Sequence, residues 1–134
     1  MLTENKITAQ KIYDEAIRLM NNAHKELQQA DKNGKAYRDV KHLRLACGAA
    51  YLAVLKAIDG IFILRNIPKP KRRPSIEYYQ QGFSKIDKKM LHALNVVYEQ
   101  IHRCGYYDGF NDVKILKIGF EEAQYIINKL KSAI

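Results

Sequence analysis

The chain has 134 residues, of which 47% are hydrophobic, and its 23 basic and 14 acidic residues give a formal charge of +9. This length and composition suit one globular domain over residues 1–134 and exclude an intrinsically disordered protein. Two cysteines, Cys47 and Cys104, are too few for a disulfide-rich secreted scaffold, and neither has a ligand partner at metal-binding spacing. We therefore expect free thiols, no metal and no cofactor.

Neither a secretion signal nor a membrane span is expected. The first residues, MLTENKIT, lack an apolar segment and a cleavage site. The longest apolar run, Leu45–Leu55, is shorter than the thickness of a bilayer requires. A cytoplasmic protein without a membrane partner is therefore the expectation.

The positive charge is concentrated in the middle of the chain. Residues 32–66 carry seven basic and two acidic residues, and residues 67–89 carry the same numbers. The rest of the chain is close to neutral. A localised excess of this kind permits an anionic partner without requiring one.

The first predicted helix covers Thr8 to Ala30, because apolar residues recur there every three or four positions. The stripe consists of Ile12, Ala16, Leu19, Ala23, Leu27 and Ala30. Asn33 and Gly34 tolerate a left-handed backbone and are predicted to end this helix.

The second predicted helix covers Ala36 to Arg65 and is apolar nearly all round, so it should be the central helix. One face is small, with Ala46, Ala49, Ala53, Ala57 and Gly60. The opposite face is larger, with Leu43, Cys47, Ala50, Val54, Ile58 and Ile61. The chain itself or a second subunit could cover these faces, and the pattern does not choose between them.

A proline-fixed loop, Asn66–Pro74, leads to a short helix that Ser75 is predicted to cap and Gly82 to interrupt. Ser84 and Asp87 resemble a capping box at the start of a third long helix.

The third helix should end near Cys104, and a fourth should run from Asn111 or Asp112 to the C-terminus. No segment has the alternation of a strand. The predicted fold is all-α, an antiparallel up-down-up-down bundle of four main helices plus one short helix.

The segment HRCGYYDGF, residues 102–110, has two interpretations. As a turn, Gly105 would follow the end of the third helix and Asp108-Gly109 would reverse the chain. As a site, it would combine with cations at the same end of the bundle to bind a phosphate-bearing ligand or single-stranded RNA. The candidate ligand-binding residues are Arg38, Lys41, His42, His102, Arg103, Tyr106, Tyr107 and Asp108. We favour the turn interpretation about two to one.

A second basic cluster lies in the loop KPKRR. Its candidate nucleic-acid-binding residues are Lys69, Lys71, Arg72 and Arg73. Such a run is more often a solvated loop than a binding patch. In an up-down bundle this loop and the segment 102–110 should lie at opposite ends.

Three segments resemble the HEPN superfamily of helical bundles. They are the alanine-rich second helix, LNVVYEQIHRCGYY, and the last helix with its Phe120, Ala123 and Ile127 stripe. The tail YYDGFNDVKILKIGFEEAQYIINKL also resembles an uncharacterised bacterial all-helical family related to that fold. Members of the HEPN superfamily are often found in toxin–antitoxin pairs.

The same resemblance speaks against ribonuclease activity. Active HEPN ribonucleases carry an Arg followed, after four to six residues, by a His. Arg103 stands near the right place, but Asp108, Gly109 and Phe110 occupy the positions for the His. Arg18 and His24 match the spacing by chance, since they face different sides of the first helix.

We therefore expect a non-catalytic, HEPN-like module that binds a protein partner or a second copy of itself. The alternative is an RNA- or nucleotide-binding protein that uses the basic and aromatic end of the bundle.

Overall fold

A computed structural model describes residues 2–134, with side chains from Glu4 onward. In this range the structure has five α-helices, one π-helix and one two-stranded hairpin. The α-helices are α1 (Leu2–Ala30), α2 (Val40–Leu64), α3 (Ile76–Ile86), α4 (Lys88–Val97) and α5 (Val113–Ala133). The π-helix is Tyr98–Tyr107, and the strands are β1 (Lys32–Asn33) and β2 (Ala36–Tyr37). The all-α fold class is confirmed.

Helices α1 and α2 form the most extensive helix contact and run antiparallel. Asn5 of α1 bonds to the Ile63 carbonyl at one end of the bundle, and Glu26 bonds to His42 at the other. Ala53 and Ala57 are completely buried in this region. The chain itself therefore covers most of the small face of α2, which answers the question that the sequence pattern left open for this face.

The turn between α1 and α2 differs from the prediction, because β1 and β2 pair there although no strand was expected. Asp31, at φ +55°, ends α1, whereas the left-handed Gly34, at φ +69°, lies in the hairpin. Helix α2 then begins at Val40, and Asp39 caps it by accepting a hydrogen bond from the His42 amide. Each strand has only two residues, so periodicity over a longer window could not reveal the hairpin.

The segment after α2 also differs in detail. Gly82 does not interrupt α3, contrary to the prediction. A Cβ at residue 82 would overlap the Phe62 ring, so glycine allows this close packing. Ser75 caps α3 as predicted. Asp87 both ends α3 and caps α4, whereas the Ser84 hydroxyl donates back to the Gln81 carbonyl instead of capping α4.

The third long helix changes character where the sequence predicted an ordinary α-helix. Residues 98–107 form a π-helix, in which backbone bonds reach five residues back, and the Asp108 amide continues the pattern by donating to the Arg103 carbonyl. Gly105 lies inside this helix with no positive φ, so its predicted role as a left-handed helix end is wrong. The chain reverses at Gly109, at φ +64°.

Helix α5 starts after Asp112, whose carboxylate accepts from the Ile115 amide as predicted. It runs beside α2 and α4 back to the end of the bundle where α1 starts. One continuous hydrophobic core joins all the helices, and its largest fully buried side chains include Phe62, Phe83 and Leu94.

Helix α2 has the length and hydropathy that a membrane span would need, contrary to the expectation from its shorter uninterrupted run. Half of its most apolar window is buried inside the bundle. A central bundle helix has these properties as well, so the helix is one weak indication of a membrane at most.

Candidate binding groove

An aromatic cluster surrounds His102 on the π-helix. Its imidazole stacks on Tyr51 of α2, with ring centroids 4.1 Å apart and planes at 18°. Tyr98 and Tyr106 lie one turn away on either side, at 5.4 and 6.0 Å, and Tyr107 meets the imidazole edge-on at 5.0 Å. The π-helix therefore places two of its rings, Tyr98 and His102, against Tyr51 of α2, and Tyr106 and Tyr107 extend the cluster from His102.

Burial shifts the pKa values of His102 and Tyr51 in the direction that keeps both rings uncharged. Desolvation lowers the pKa of His102, because the surrounding rings disfavour the imidazolium. Burial, with smaller contributions from Tyr98 and Tyr107, raises the pKa of Tyr51 to about 12. Near neutral pH the cluster is thus a neutral aromatic surface and not an acid–base pair.

Next to this cluster, one face of α2 remains open. Leu45 and Leu52 are each 49% exposed, although they lie on the most apolar helix of the chain. They border a groove of about 510 Å³, which we call the α2 groove. Helix α2 lines it with Arg44, Leu45, Gly48, Ala49, Tyr51, Leu52 and Leu55. Leu19, Arg73, His102, Tyr106 and Tyr107 complete its lining.

Two glycines set how closely the π-helix approaches α2. A Cβ at Gly105 would overlap the Cys47 sulfur, so only glycine allows this contact. A Cβ at Gly48 would lie 3.2 Å from the Tyr106 ring, which rests over this residue. Burial raises the pKa of the Cys47 thiol to about 12, so Cys47 is a packing group and not a nucleophile.

Two arginines lie at the rim of the α2 groove. Arg44 packs against the turn at Gly109, where a Cβ would come within 2.8 Å of its Nε. Arg73 reaches the groove from the proline-rich loop. Within residues 4–134, neither arginine has a carboxylate within 4.0 Å, and no Asp or Glu lines the groove. Both guanidinium groups are therefore available to a ligand.

Asp59 helps to hold the loop that carries Arg73. Its carboxylate accepts a hydrogen bond of 2.9 Å from the Tyr79 hydroxyl and lies 3.7 Å from Lys69 Nζ. The Tyr78 hydroxyl donates to the Pro68 carbonyl at 3.0 Å. These contacts hold the proline-rich loop against α2 and α3. The loop therefore runs back alongside α2.

The structure brings some of the predicted ligand-binding residues together. His102, Tyr106 and Tyr107 all line the α2 groove. The others lie outside its lining. They are Arg38, Lys41, His42, Arg103 and Asp108.

Each residue outside the groove has a local role or a solvent position. Arg38 lies 3.9 Å from Asp31, Arg103 lies 3.6 Å from Glu99, and His42 bonds to Glu26 at 2.6 Å. Lys41 and Asp108 are exposed. Because His102 stacks on Tyr51, it is roughly 17 Å along α2 from the helix start, so the predicted proximity of Arg38 and His102 is wrong.

The second predicted cluster is also divided. Arg73 lines the α2 groove, Lys69 pairs with Asp59, and Lys71 and Arg72 are exposed. The two basic segments were expected at opposite ends of the bundle. That expectation is wrong for Arg73, because the loop runs back alongside α2 and places Arg73 in the same groove as His102, Tyr106 and Tyr107.

Sequence reasoning missed the residues that α2 contributes, above all Arg44, Leu45, Tyr51 and Leu52. The available signal was that α2 is apolar nearly all round, which is more apolar surface than three neighbouring helices cover. A helix of that kind indicates either complete burial or an unpartnered face.

Another groove of about 510 Å³ lies beside the hairpin, near His24 and Lys32. Its apolar side chains, Leu27 and Tyr37, are half-buried or buried, so it lacks the exposed aliphatic surface of the α2 groove. Over residues 4–134, no three Cys, His, Asp or Glu side chains cluster as metal ligands.

Comparison with known proteins places this arrangement in a family. The profile of a domain of unknown function, DUF5618, matches residues 11–132. The chain belongs to the DUF5618 family. The DUF5618 fold is also similar to the solved structure of a protein of unknown function from Dyadobacter fermentans, with a TM-score of 0.85 and 35% sequence identity, over 94% of this chain and 98% of that one. No functionally curated protein matches this DUF5618 chain.

The family assignment agrees with the coarser of the two resemblances drawn from the sequence, that to an uncharacterised all-helical family. Neither match refers to HEPN proteins.

Proposed function

We propose that the protein is a non-catalytic module whose α2 groove binds a helical segment of a protein partner. The observation that carries this proposal is the exposure of Leu45 and Leu52, at 49% each, on the most apolar helix of the chain. Leaving large aliphatic side chains in water costs free energy that a docked apolar surface would recover.

The shape of the groove favours a helix as the occupant. Leu45, Ala49 and Leu52 follow one another at steps of four and three along α2, which makes a seam suited to the apolar stripe of a second helix. Ala49, being small, lets a partner backbone come close between the two leucines. Tyr106 and Tyr107 form an aromatic wall of the kind enriched at protein interfaces.

A HEPN-like grouping without ribonuclease activity is part of the same proposal. It is supported by the up-down-up-down helix order and by the lack of histidine at residues 108–110. Arg103 pairs with the Glu99 carboxylate instead of with a histidine. We expect purified wild-type protein and the Arg103→Ala variant to leave RNA intact, and cleavage by the wild type alone would contradict this part.

One observation favours RNA or nucleotide binding as a second candidate. Tyr107 is 64% exposed, and it shares the groove with Arg44 and Arg73, for which residues 4–134 provide no carboxylate partner. A base could stack on the phenol while a guanidinium meets the phosphate. This candidate predicts that a single-stranded oligouridine binds at about 50 mM salt, weakens steeply toward about 200 mM, and loses affinity in Tyr107→Ala.

A peptide-display selection tests the leading proposal. Random peptides of ~16 residues, about 24 Å long as helices, are selected on the purified chain. We expect enriched sequences with apolar residues at helical spacing. The double variant Leu45→Gln/Leu52→Gln should lose roughly tenfold or more of their affinity, since burial of two leucines is removed.

Ile118→Gln provides the matched control, because Ile118 of α5 is a similarly exposed aliphatic residue outside the groove. Enriched peptides should bind this variant and the wild type alike. No enrichment, or equal binding to the groove variant, would overturn the proposal.

A further inference from the structure

We infer that the partner segment is an acidic amphipathic helix, with carboxylates flanking a short apolar seam. This inference rests on the proposed function, because it specifies the chemistry of the segment that the α2 groove would bind. The starting point is the contrast between the centre of the groove, which is aliphatic and aromatic, and its rim, which is cationic.

The rim charges are unsatisfied. Arg44 and Arg73 are both exposed and line the groove, yet neither has a carboxylate within 4.0 Å in the part of the chain that the structure describes. Some other surface cations do have partners, such as Arg18 with Glu15 at 2.6 Å and Lys69 with Asp59 at 3.7 Å. An acidic ligand would form pairs with Arg44 and Arg73 that no side chain among residues 4–134 supplies.

The backbone around the rim fixes where these charges stand. Arg44 is held against the turn at Gly109, a residue that must be glycine both for its positive φ and for the close guanidinium. Arg73 is positioned by a loop that Asp59 and Tyr78 tether. Two guanidinium groups carried by anchored backbone segments are a better basis for selectivity than freely moving surface lysines.

The dimensions of the groove set the length of the segment. From Arg44 to Leu55, α2 advances roughly 16 Å, which corresponds to about three helical turns. The bound part of the partner would therefore present apolar residues over about three turns. Its acidic residues would lie beside that seam, where they can reach Arg44 and Arg73.

Charge also argues against a second copy of this chain as the occupant. Each copy carries a formal charge of +9. A symmetric contact through the groove would face its unpaired arginines with the same arginines of the other copy, and no carboxylate of the groove lining would separate them. An acidic segment from a different protein has no such penalty.

Three synthetic helical peptides of ~16 residues test the inference. They share one leucine seam and differ only in flanking residues, which are Glu, Gln or Lys. Fluorescence anisotropy with the full chain should show the Glu peptide binding roughly tenfold or more tightly than the Gln peptide, with the Lys peptide weakest. Raising the salt concentration should reduce the difference in affinity between the Glu and Gln peptides.

Matched charge variants locate the effect. In Arg44→Gln/Arg73→Gln, the Glu and Gln peptides should bind alike. In Lys71→Gln/Arg72→Gln, which removes the same charge from exposed residues outside the groove lining, the preference for Glu should persist. A preference unchanged by the first variant, or equally reduced by both, would overturn the inference.

The remaining outcomes separate this inference from the proposed function. If all three peptides bind equally and Leu45→Gln/Leu52→Gln abolishes binding, the acidic partner is wrong and the protein-binding groove stands. If none binds, the acidic partner is wrong, and the display selection decides the groove separately. If oligouridine binds and displaces the Glu peptide at lower concentration than any peptide, the groove is a nucleic-acid site instead.

Discussion

Two neighbouring sides of α2 are both hydrophobic, but one is buried and the other is exposed. On the side facing α1, Ala53 and Ala57 are fully buried, because small side chains let the two backbones approach. On the neighbouring side, Leu45 and Leu52 remain half exposed, because the π-helix and its rings stop short of them. The lesson is that hydrophobicity alone does not predict burial on a central helix, since the neighbouring helices decide which stripe is covered.

The π-helix is the element that creates this difference. Its closest approach to α2 is at Gly105 and Cys47, and beyond that point Tyr106 and Tyr107 stand as a wall. An ordinary α-helix would bring different side chains toward Tyr51. π-helices are uncommon and often mark functional sites, which fits the position of this one beside the open face of α2.

The largest expected effect comes from adjacent residues on the two sides. Ala53→Gln should unfold the protein or cost several kcal/mol, because a long polar side chain would enter a packed, dry contact. Leu52→Gln should change the free energy of unfolding by only about 0.5 kcal/mol, since half of its surface is already in water. Urea unfolding followed by circular dichroism measures both. Equal losses would show that Leu52 is also a core residue.

The contact between α2 and the π-helix should be the next most sensitive. Gly105→Ala is expected to cost about 1–3 kcal/mol, because its Cβ would overlap the Cys47 sulfur. Adding Cys47→Ala should restore part of the loss, which makes the two changes non-additive. Gly48→Ala serves as the milder control, since the Tyr106 ring can shift. Additive losses at Gly105 and Cys47 would contradict the described contact.

Asp59 allows the loop side of the groove to be tested. Asp59→Ala should cost about 1–3 kcal/mol by leaving the buried Tyr79 hydroxyl without its acceptor, whereas Asp59→Asn keeps an acceptor and should cost less. Lys69→Ala should change stability by no more than about 0.5 kcal/mol, because its ion pair is largely exposed. Thermal unfolding of the three variants measures these losses. The largest loss of stability in Lys69→Ala would contradict this prediction.

The smallest expected effect is a pH dependence from His102. Its pKa is lowered in the folded protein by burial, so the unfolded chain takes up the proton first as pH falls through its ordinary value near 6.5. This group therefore lowers the free energy of unfolding as the pH falls below about 7.5, until the folded protein also takes up the proton. His102→Phe, which keeps an aromatic ring, should flatten that part of the stability profile.

The exposed His92 supplies the control for this experiment, and His92→Gln should leave the profile unchanged. A His102→Phe profile as steep as that of the wild type would show that other groups cause the pH dependence.

Much of the fold could be predicted from the sequence. The stripes of α1 and α5, the large face of α2, and the caps at Ser75 and Asp112 follow from local rules that need only a few neighbouring residues. These rules fail where a contact between distant residues decides the backbone. The hairpin depends in part on Asn111, which exchanges hydrogen bonds with Tyr37 across the bundle end.

The candidate site was less predictable for the same reason. An apolar stripe looks nearly the same whether backbone hydrogen bonds reach back four residues or five. The pattern of apolar residues therefore does not distinguish the π-helix from an α-helix. The path of the proline-rich loop depends on Asp59 and Tyr78, residues on two other segments. Of the residues that line the α2 groove, only His102, Tyr106, Tyr107 and Arg73 were named as candidates from the sequence. Their common location could not be inferred.

The most direct measurement for the central claim is an NMR titration of the full chain with the Glu-flanked helical peptide. Binding in the α2 groove predicts that amide signals of Gly48, Leu52 and Tyr106 shift together and saturate, while those of α5 around Ile118 do not move. Shifts confined to the exposed Lys71 and Arg72, or centred on the hairpin, would contradict the claim that the open face of α2 is the binding surface.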